Sequence, residues 1–351
     1  MTNLHSLHFS RRHFLQTATL GALAASGVNW VQAAKPSLHV YPDYGWLRGF
    51  SIVPSWAARI EDAWWFYDGA RMREEVALTK QVQANCIRLW IEFTAWIRDP
   101  EKVTANFLDA VAAIGESGLK AMPCLFNRWH DSKFDYGGTY AENLKPGWKQ
   151  PLEYVKALVT PLAGDERILI WDLCNEPQAH DLNSDVNKRE FAWLSEIAAT
   201  VRACGVQQPI TIGTMNGGNI ETYAPLMDVL CGHPYDRDPQ ALAAKIASYK
   251  AIQQRHGKPF LVNETIPGCL DDHTRAEVAK YYTTQLREAG FGWMGWAVRE
   301  GLAISTRRDR YDGNGINGEG FHPYFTKAGK LRAGLEFLTE PPNLRAPWEK
   351  A

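Results

Sequence analysis

Two short segments of the sequence run from apolar residues directly into a glutamate. One reads Ile-Leu-Ile-Trp-Asp-Leu-Cys-Asn-Glu over residues 168–176 and is closed by Pro177, and the other reads Pro-Phe-Leu-Val-Asn-Glu over residues 259–264. Apolar, β-branched runs of this kind are typical of buried parallel strands. A carboxylate at the end of such a strand points into the mouth of a sheet or barrel, where catalytic groups are carried. A lone strand-end glutamate is often an ordinary surface residue, but the repeated design predicts that Glu176 and Glu264 meet over one substrate.

Three further polar side chains fall at or near the ends of predicted strands and could support such a pair. Two glutamates facing one sugar can act as acid/base and nucleophile. Arg88 can hold Glu264 ionised by charge pairing, and Tyr235 can donate a hydrogen bond to the same carboxylate. His233 can bond either sugar hydroxyls or Glu176. These side chains together predict a site that cleaves a glycosidic bond.

Other residues are suited to holding a sugar. Asn175 can bond a hydroxyl beside the reacting carbon. Trp296 can form the floor under the reacting ring, because a flat apolar ring covers the C–H face of a sugar. The segment 127–151 is rich in aromatic residues, and it is either a stacking surface for sugars or a loop that packs on itself; these residues are Trp129, Phe134, Tyr136, Tyr140 and Trp148.

Strand-like and helix-like segments alternate through the rest of the chain, which predicts a single-domain (β/α)8 barrel, a TIM barrel, of the α/β class. A doubly wound open sheet is the alternative, but no Gly-rich phosphate turn supports it. We predict strands at 47–53, 86–92, 120–126, 168–174, 210–214, 229–233, 260–263 and 292–298. We predict helices at 69–82, 106–117, 152–162, 185–204, 220–226, 239–256 and 274–289, with a closing helix near 326–338.

Composition excludes several function classes. A net charge of −1 gives no electrostatic case for nucleic acid or an anionic membrane. The six cysteines lack metal-ligand spacing, four of them lie in predicted strands as buried thiols, and their pairing cannot be read from the sequence. Residues 312–319 superficially suggest a calcium loop, but their spacing does not fit the EF-hand order. We therefore expect no cofactor and no metal, a carbohydrate as the partner, and a monomer.

The N-terminus is typical of a targeting segment. Ser10-Arg-Arg-His-Phe-Leu15 places a twin arginine ahead of an uncharged stretch, and the small residues near Ala34 suit cleavage. This pattern resembles a twin-arginine (Tat) export signal. We predict a signal peptide over residues 1–34, a catalytic domain over 35–351, passage through the Tat translocase, and a periplasmic or secreted protein. An uncleaved anchor is the alternative.

The chain resembles the clan A retaining glycoside hydrolases, and most closely glycoside hydrolase family 5, the cellulase and mannanase family. The resemblance is carried by Trp-Asp-Leu-Cys-Asn-Glu-Pro over 171–177, His-Pro-Tyr over 233–235, Val-Asn-Glu over 262–264, and the strand of Trp296. It implies a retaining mechanism on a β-linked oligo- or polysaccharide. It also implies Glu176 as acid/base and Glu264 as nucleophile, and it places these residues at the site: Arg88, Asn175, His233, Tyr235 and Trp296.

One position departs from the family pattern. The family places a histidine at the end of the third strand, where this chain has Asn127, and the nearest histidine is His130. Either residue, or neither, fills that role, and His130 and Trp129 remain candidate substrate-binding residues. Two further functions are left open: a transglycosylase that remodels an exported polysaccharide, and a non-catalytic barrel that binds glycans. The presence of both glutamates argues against the second.

Overall fold

The computed structural model describes residues 39–130, 137–307 and 321–349. Its centre is a set of eight short parallel strands, each followed by a connection that returns the chain to the same end of the barrel. The predicted signal peptide, residues 1–34, lies outside the described residues. The strands are β1 (Arg48–Ile52), β2 (Cys86–Trp90), β3 (Lys120–Cys124), β4 (Trp171–Asn175), β5 (Ile210–Gly213), β6 (Leu230–Cys231), β7 (Phe260–Leu261) and β8 (Trp293–Trp296).

The strands close into a barrel. Six of them pair in the order β5-β4-β3-β2-β1-β8, and β6 pairs with β7. Backbone hydrogen bonds join the two sets on both sides: His233 N donates to Thr214 O over 2.8 Å, and Trp296 N donates to Thr265 O over 3.2 Å. The predicted (β/α)8 barrel is therefore confirmed, and the C-terminal ends of all eight strands meet at one face.

Helices surround the barrel. They are α1 (Ile60–Trp65), α2 (Gly69–Gln81), α3 (Phe93–Trp96), α4 (Pro100–Glu116), α5 (Lys149–Val159), α6 (Asp185–Ala203), α7 (Gly217–Tyr223), α8 (Pro239–His256) and α9 (Asp272–Glu288). Side chains that accept from free backbone N–H groups fix where many of them begin. Ser184 caps α6 in this way, and Asp238 and Asp271 cap α8 and α9. Proline follows the cap of α4 and of α8, where its missing N–H costs nothing.

The predicted closing helix near residues 326–338 is wrong. This segment forms turns, and only Glu336–Thr339 makes a short 3₁₀ turn. Gly329 and Gly334 adopt φ values of 76° and 85°, a left-handed conformation that ends a right-handed helix. Two further helices, α1 and α3, were not predicted, because six and four residues are too short to show a helical period.

The interior of the barrel has an apolar lower half and a polar upper half. Near the N-terminal ends of the strands, Leu47, Met122, Leu261 and Met294 are fully buried in one apolar cluster. Toward the C-terminal ends the inward-facing side chains are charged or polar, beginning with Arg88, which is fully buried. The apolar half fills the barrel as in other barrels of this class, so the polar half forms the floor of a site.

Two further features of the described residues concern their helices and their cysteines. Across the part of the chain that the structure describes, no helix has the length and apolar character needed to span a bilayer. All six cysteines fall within the described residues and are free thiols, and five of them are buried. The interpretation of the strand cysteines as small buried hydrophobic residues fits these positions.

Candidate active site

Glu264 follows β7 and points into the mouth of the barrel. Arg88 Nη1 lies 2.5 Å from Glu264 Oε2, and the Tyr235 hydroxyl donates to Glu264 Oε1 over 3.0 Å. The side chain of Glu264 is only 9% exposed, and that of Arg88 is 0% exposed. Both carboxylate oxygens are therefore fixed in place, as sequence reasoning predicted for this trio.

Glu176 follows β4 on the opposite side of the barrel. Its φ of 48° places it in the left-handed region, which is uncommon for a residue with a side chain. Its backbone N–H donates to Gly213 O over 2.8 Å, which ties the strained residue to β5. Its Oε1 lies 2.8 Å from Nδ1 of His233. Of the two partners predicted for His233, the structure shows Glu176.

The two glutamates converge. One carboxylate oxygen from each of Glu176 and Glu264, together with one ring nitrogen of His233, lie within 4.8 Å of one another. The same spacing would suit a metal ion, but the Arg88 guanidinium already neutralises Glu264 at hydrogen-bond distance. Two carboxylates this close, with separate polar partners, can act on opposite sides of one reacting atom.

Arg88 organises several strands at once. Its Nε donates to Asp172 Oδ2 over 2.8 Å, and its Nη2 donates to Asn175 Oδ1 over 2.9 Å. Asp172 in turn accepts from the backbone N–H of Gly213 over 3.0 Å. Sequence reasoning missed Asp172, although a charged residue in the middle of an otherwise apolar strand was a signal for it, because such a charge is buried only with a partner.

Asn127 lies just beyond β3 and contacts a predicted site residue. Its Oδ1 accepts from Asn175 Nδ2 over 2.9 Å. The Nε2 of His130 is 3.1 Å from Thr139 O, and its ring stacks on Tyr140 at 4.1 Å. Asn127 therefore contacts a predicted site residue, Asn175.

Trp129 is half-buried and packs against the core, and its backbone N–H donates to Asn127 Oδ1 over 3.1 Å. Within the same loop, the Trp148 ring packs edge-on against Phe93 at 5.1 Å. For Trp148 the interpretation as loop packing therefore fits better than that as a sugar-stacking surface. Phe134 and Tyr136 lie outside the described residues, as does the segment 312–319 that superficially suggests a calcium loop.

Trp296 is the last residue of β8 and lies at the end of the barrel that carries the two glutamates. Its ring lies 4.8 Å from that of Trp90, and its Nε1 donates to Ser305 Oγ over 3.2 Å. Trp90 also packs beneath the Arg88 guanidinium, 5.1 Å from the ring centre. The indole of Trp296 is thus held by a neighbouring ring that itself supports Arg88. Sequence reasoning did not single out Trp90.

Burial and charge set the protonation of this group. Burial raises the pKa of Glu264, while the positive charges of His233 and Arg88 and the Tyr235 hydrogen bond oppose that rise. Burial alone would lower the pKa of His233, but the charges of Glu264 and Glu176 outweigh it and raise that pKa well above its usual value. At a pH where a histidine in water is neutral, the His233–Glu176 pair therefore still holds that proton.

A buried ion pair supports the loop after Glu176. Arg128 Nε lies 2.6 Å from Glu190 Oε1, and both side chains are nearly fully buried. Glu190 Oε2 accepts from the backbone N–H groups of Gln178 and Ala179, over 2.8 and 2.7 Å. Through Glu190, helix α6 thereby fixes the backbone at Gln178 and Ala179, just after Glu176. Sequence analysis did not assign a role to either charged residue.

Comparison with known proteins agrees with this geometry. A family model described as cellulase (glycosyl hydrolase family 5) matches residues 47–301, which is more than half of the chain. No curated protein matches the sequence.

Several solved structures share the fold at low sequence identity. The exo-β-1,4-mannosidase Op5Man5 from Opitutaceae bacterium strain TAV5 superimposes with a TM-score of 0.63 at 17% identity, over 86% of this chain and 60% of that one. This chain thus spans about 60% of that mannosidase. GH5_18 from Streptomyces cattleya gives 0.61 at 14% identity, over 85% of this chain and 79% of that one.

The endo-1,4-β-D-mannanase from Thermotoga petrophila RKU-1 gives a TM-score of 0.57 at 14% identity, over 84% of this chain and 98% of that one. At these identities the superpositions show the fold, and the family model shows the family. The site residues lie inside the matched segment 47–301. The chain therefore belongs to glycosyl hydrolase family 5, the cellulase family.

Proposed function

We propose that the protein hydrolyses β-linked oligo- or polysaccharides with retention of anomeric configuration, with Glu264 as nucleophile and Glu176 as acid/base. The observation that carries this proposal is the approach of one Glu176 oxygen to within 4.8 Å of one Glu264 oxygen. Retaining sites hold their carboxyls about 5–5.5 Å apart, whereas inverting sites need about 6.5–9.5 Å to admit a water.

The nucleophile role falls to Glu264 because its partners favour a carboxylate. Arg88 supplies a full positive charge at 2.5 Å, and Tyr235 donates to the other oxygen. These contacts oppose the effect of burial on the pKa of Glu264. The ionised oxygen attacks the anomeric carbon and forms a glycosyl ester, while the bond from that carbon to the leaving glycosidic oxygen breaks.

The acid/base role falls to Glu176, whose Oε1 is held by His233. Its other oxygen can then give a proton to the leaving glycosidic oxygen in the first step. In the second step the same oxygen takes a proton from the water that attacks the glycosyl ester. Between the two steps, ester formation removes the negative charge of Glu264 beside Glu176.

Asn175 and Trp296 complete the proposed subsite. The amide of Asn175 is oriented by Arg88 on one side and Asn127 on the other, so its position does not depend on the sugar. The Trp296 ring offers a flat apolar surface on the strand next to that of Glu264. An exo-β-1,4-mannosidase and an endo-1,4-β-D-mannanase are among the similar folds, so β-mannosides, β-glucosides and xylan are the substrates to assay first.

The anomeric outcome tests the mechanism. Proton NMR of the first-formed sugar should show the β anomer. Glu264→Ala should abolish turnover, and azide should restore it with an α-glycosyl azide as product. Glu176→Ala should keep activity on aryl β-glycosides with good leaving groups, and azide should then give the β product. Glu116→Ala, on the outer face of α4, is the matched control and should behave as the unaltered enzyme. An α anomer appearing first would overturn the assignment of both glutamates.

Export through the Tat translocase to the periplasm or the medium is part of the same proposal. It is supported by Arg11 and Arg12 ahead of an uncharged stretch and by the small residues near Ala34. A β-glycosidase that acts on polymeric carbohydrate has its substrate outside the cell, which agrees with export.

A further inference from the structure

Asn263, the residue before Glu264, bridges two charged side chains beneath the site. Its Nδ2 donates to Asp172 Oδ2 over 2.9 Å, and its Oδ1 lies 2.8 Å from Nε2 of His233. Cys231 Sγ also lies 3.0 Å from the same Oδ1. Asn263 is fully buried, and it is outside the set that touches either carboxylate of the pair.

The orientation of the Asn263 amide follows from its neighbours. Asp172 accepts from Arg88 Nε and from the N–H of Gly213, so it acts as an acceptor toward every partner it has in the described residues. The amide NH₂ must therefore face Asp172, which leaves the amide oxygen facing Cys231 and His233. An amide oxygen can only accept. His233 must consequently carry a proton on Nε2.

Space for this arrangement is provided by a glycine. A Cβ on Gly213 would lie 2.7 Å from His233 Nε2 and 3.0 Å from Arg88 Nη2. The imidazole thus packs directly on the β5 backbone. The other nitrogen, Nδ1, is fixed toward Glu176 Oε1.

We propose that Asn263 is a positioning residue that fixes one proton of His233 on Nε2, so that the second proton of the ring lies on Nδ1, against Glu176 Oε1. This rests on the proposed acid/base role of Glu176. Because His233 occupies Oε1, the proton given to the leaving oxygen is the one on Oε2, and the attacking water returns a proton to Oε2 in the second step. Nδ1–H stays bonded to Oε1 throughout.

The charges that face His233 favour this state. Glu176 contacts its Nδ1, and Glu264 and the Cys231 thiol are the other acidic groups that act on the ring, while Arg88 lies beside the same glycine, Gly213. The two carboxylates raise the tendency of the ring to hold both protons, and Arg88 opposes them. A neutral ring with its lone pair on Nδ1 would instead draw the Glu176 proton onto Oε1, away from the substrate.

Nitrogen NMR of the full-length enzyme with isotope-labelled histidine tests the proposal directly. The His233 signals are assigned from their loss in His233→Gln. From about pH 5 to about pH 10, Nε2 should stay protonated, and any deprotonation should occur at Nδ1. Loss of the proton from Nε2 in the unaltered enzyme overturns the proposal, and this measurement requires no Asn263 variant to fold.

Two substitutions then separate positioning from a general effect on packing. Asn263→Ala removes the acceptor, so the neutral ring should divide its proton between both nitrogens, and the His233 midpoint should fall by about one pH unit. Asn263→Asp keeps an oxygen facing Nε2 and should restore the Nε2–H form. Equal behaviour of the Ala and Asp variants, or an unchanged midpoint in Asn263→Ala, contradicts the proposal.

Kinetics distinguish this proposal from the acid/base assignment itself. Asn263→Ala should lower kcat about tenfold for β-glycosides whose leaving group needs a proton, and should change it little for dinitrophenyl glycosides. An equal loss on both substrates would show that Asn263 acts only through structure. If Glu176→Ala fails to show a leaving-group dependence, the proposed function fails, whereas the tautomer measured by NMR decides the role of Asn263 alone.

Discussion

The Arg88 guanidinium lies 2.5 Å from Glu264 Oε2 in a setting where neither side chain is exposed to solvent by more than 9%. A buried carboxylate with no partner is expensive, so the pair has to be kept intact for Glu264 to carry a charge. The same guanidinium reaches Asp172 and Asn175 with its other two nitrogens. One planar group thereby aligns three side chains from two strands.

Replacement of Arg88 by lysine should show that this alignment depends on geometry as well as on charge. An ammonium is a point charge and cannot contact three partners in a plane. We expect Arg88→Lys to lower kcat/KM by about a hundredfold or more, because Glu264 and Asn175 both lose their fixed positions. Steady-state kinetics on an aryl β-glycoside measure this loss.

Arg48→Lys is the matched control. Arg48 is also nearly buried and begins β1, but its side chain donates to Gln83 O, Trp46 O and Leu344 O and pairs with Glu349 at the other end of the barrel. Arg48→Lys should lower stability while kcat stays close to that of the unaltered enzyme. If the two variants lose activity to a similar degree, the special role of Arg88 is refuted.

Trp296→Ala should weaken binding of the transition state. Its ring is proposed to lie under the reacting sugar and is supported by Trp90. We expect a loss of about a hundredfold in kcat/KM, which corresponds to a few kcal/mol. Trp348 packs against Trp46 at 5.0 Å, at the opposite end of the barrel, and Trp348→Ala serves as the control. Equal losses in kcat/KM for the two variants would leave no support for a stacking role.

The barrel and its two acidic strand ends could be predicted because they follow from periodic local signals. Each strand is a short apolar run, and each glutamate follows such a run directly. Arg88, Tyr235 and His233 were predicted as partners of the glutamates because charge and hydrogen-bonding chemistry pair those residue types. Their contacts in the structure agree with that pairing.

The second level of the site could not be predicted in the same way. Asp172 lies in β4 and Asn263 just beyond β7, and the sequence does not tell which face of a strand points into a barrel when both faces are buried. The role of Asn127 was also left open, since its contact with Asn175 depends on how the ends of two strands approach each other. The closing helix failed because the conformation of Gly329 and Gly334 overrides the surrounding apolar pattern.

Export should depend on the twin arginine. Replacement of both Arg11 and Arg12 by lysine should leave the protein in the cytoplasm, because the Tat pathway reads the arginine pair itself. Fractionation with an immunoblot measures the distribution, and mass spectrometry of the exported protein should find a start near residue 35. Arg98→Lys, in the catalytic domain, is the control and should be exported normally. Unchanged export of the double lysine variant would refute the Tat assignment.

The stability of the fold should carry a pH dependence that arises from Glu92, just beyond β2. This carboxyl is fully buried and accepts from Asn127 N over 2.6 Å, Phe93 N over 2.9 Å and Thr139 Oγ1 over 2.8 Å. Burial raises the pKa of Glu92 to about 8, although these hydrogen bonds oppose the rise. In the unfolded chain a glutamate has a pKa of about 4.3. The folded protein therefore keeps a proton that the unfolded chain releases across this interval.

The sign of the effect follows from that difference. The contribution of Glu92 to stability is fully present below about pH 4.3 and is lost as pH rises toward 8. Gln at this position does not titrate. The difference in free energy of unfolding between the unaltered protein and Glu92→Gln should therefore change with pH. As the pH rises, it should move against the unaltered protein by up to about 1.4 kcal/mol for each pH unit. Chemical denaturation at pH 5 and at pH 8 measures both proteins.

Glu116→Gln is the control: the hydrogen bond from Arg73 lowers the pKa of Glu116, so the effect of this substitution on the free energy of unfolding should be constant over the same interval. A constant difference for Glu92→Gln as well would mean that Glu92 is ionised in the folded protein at both pH values.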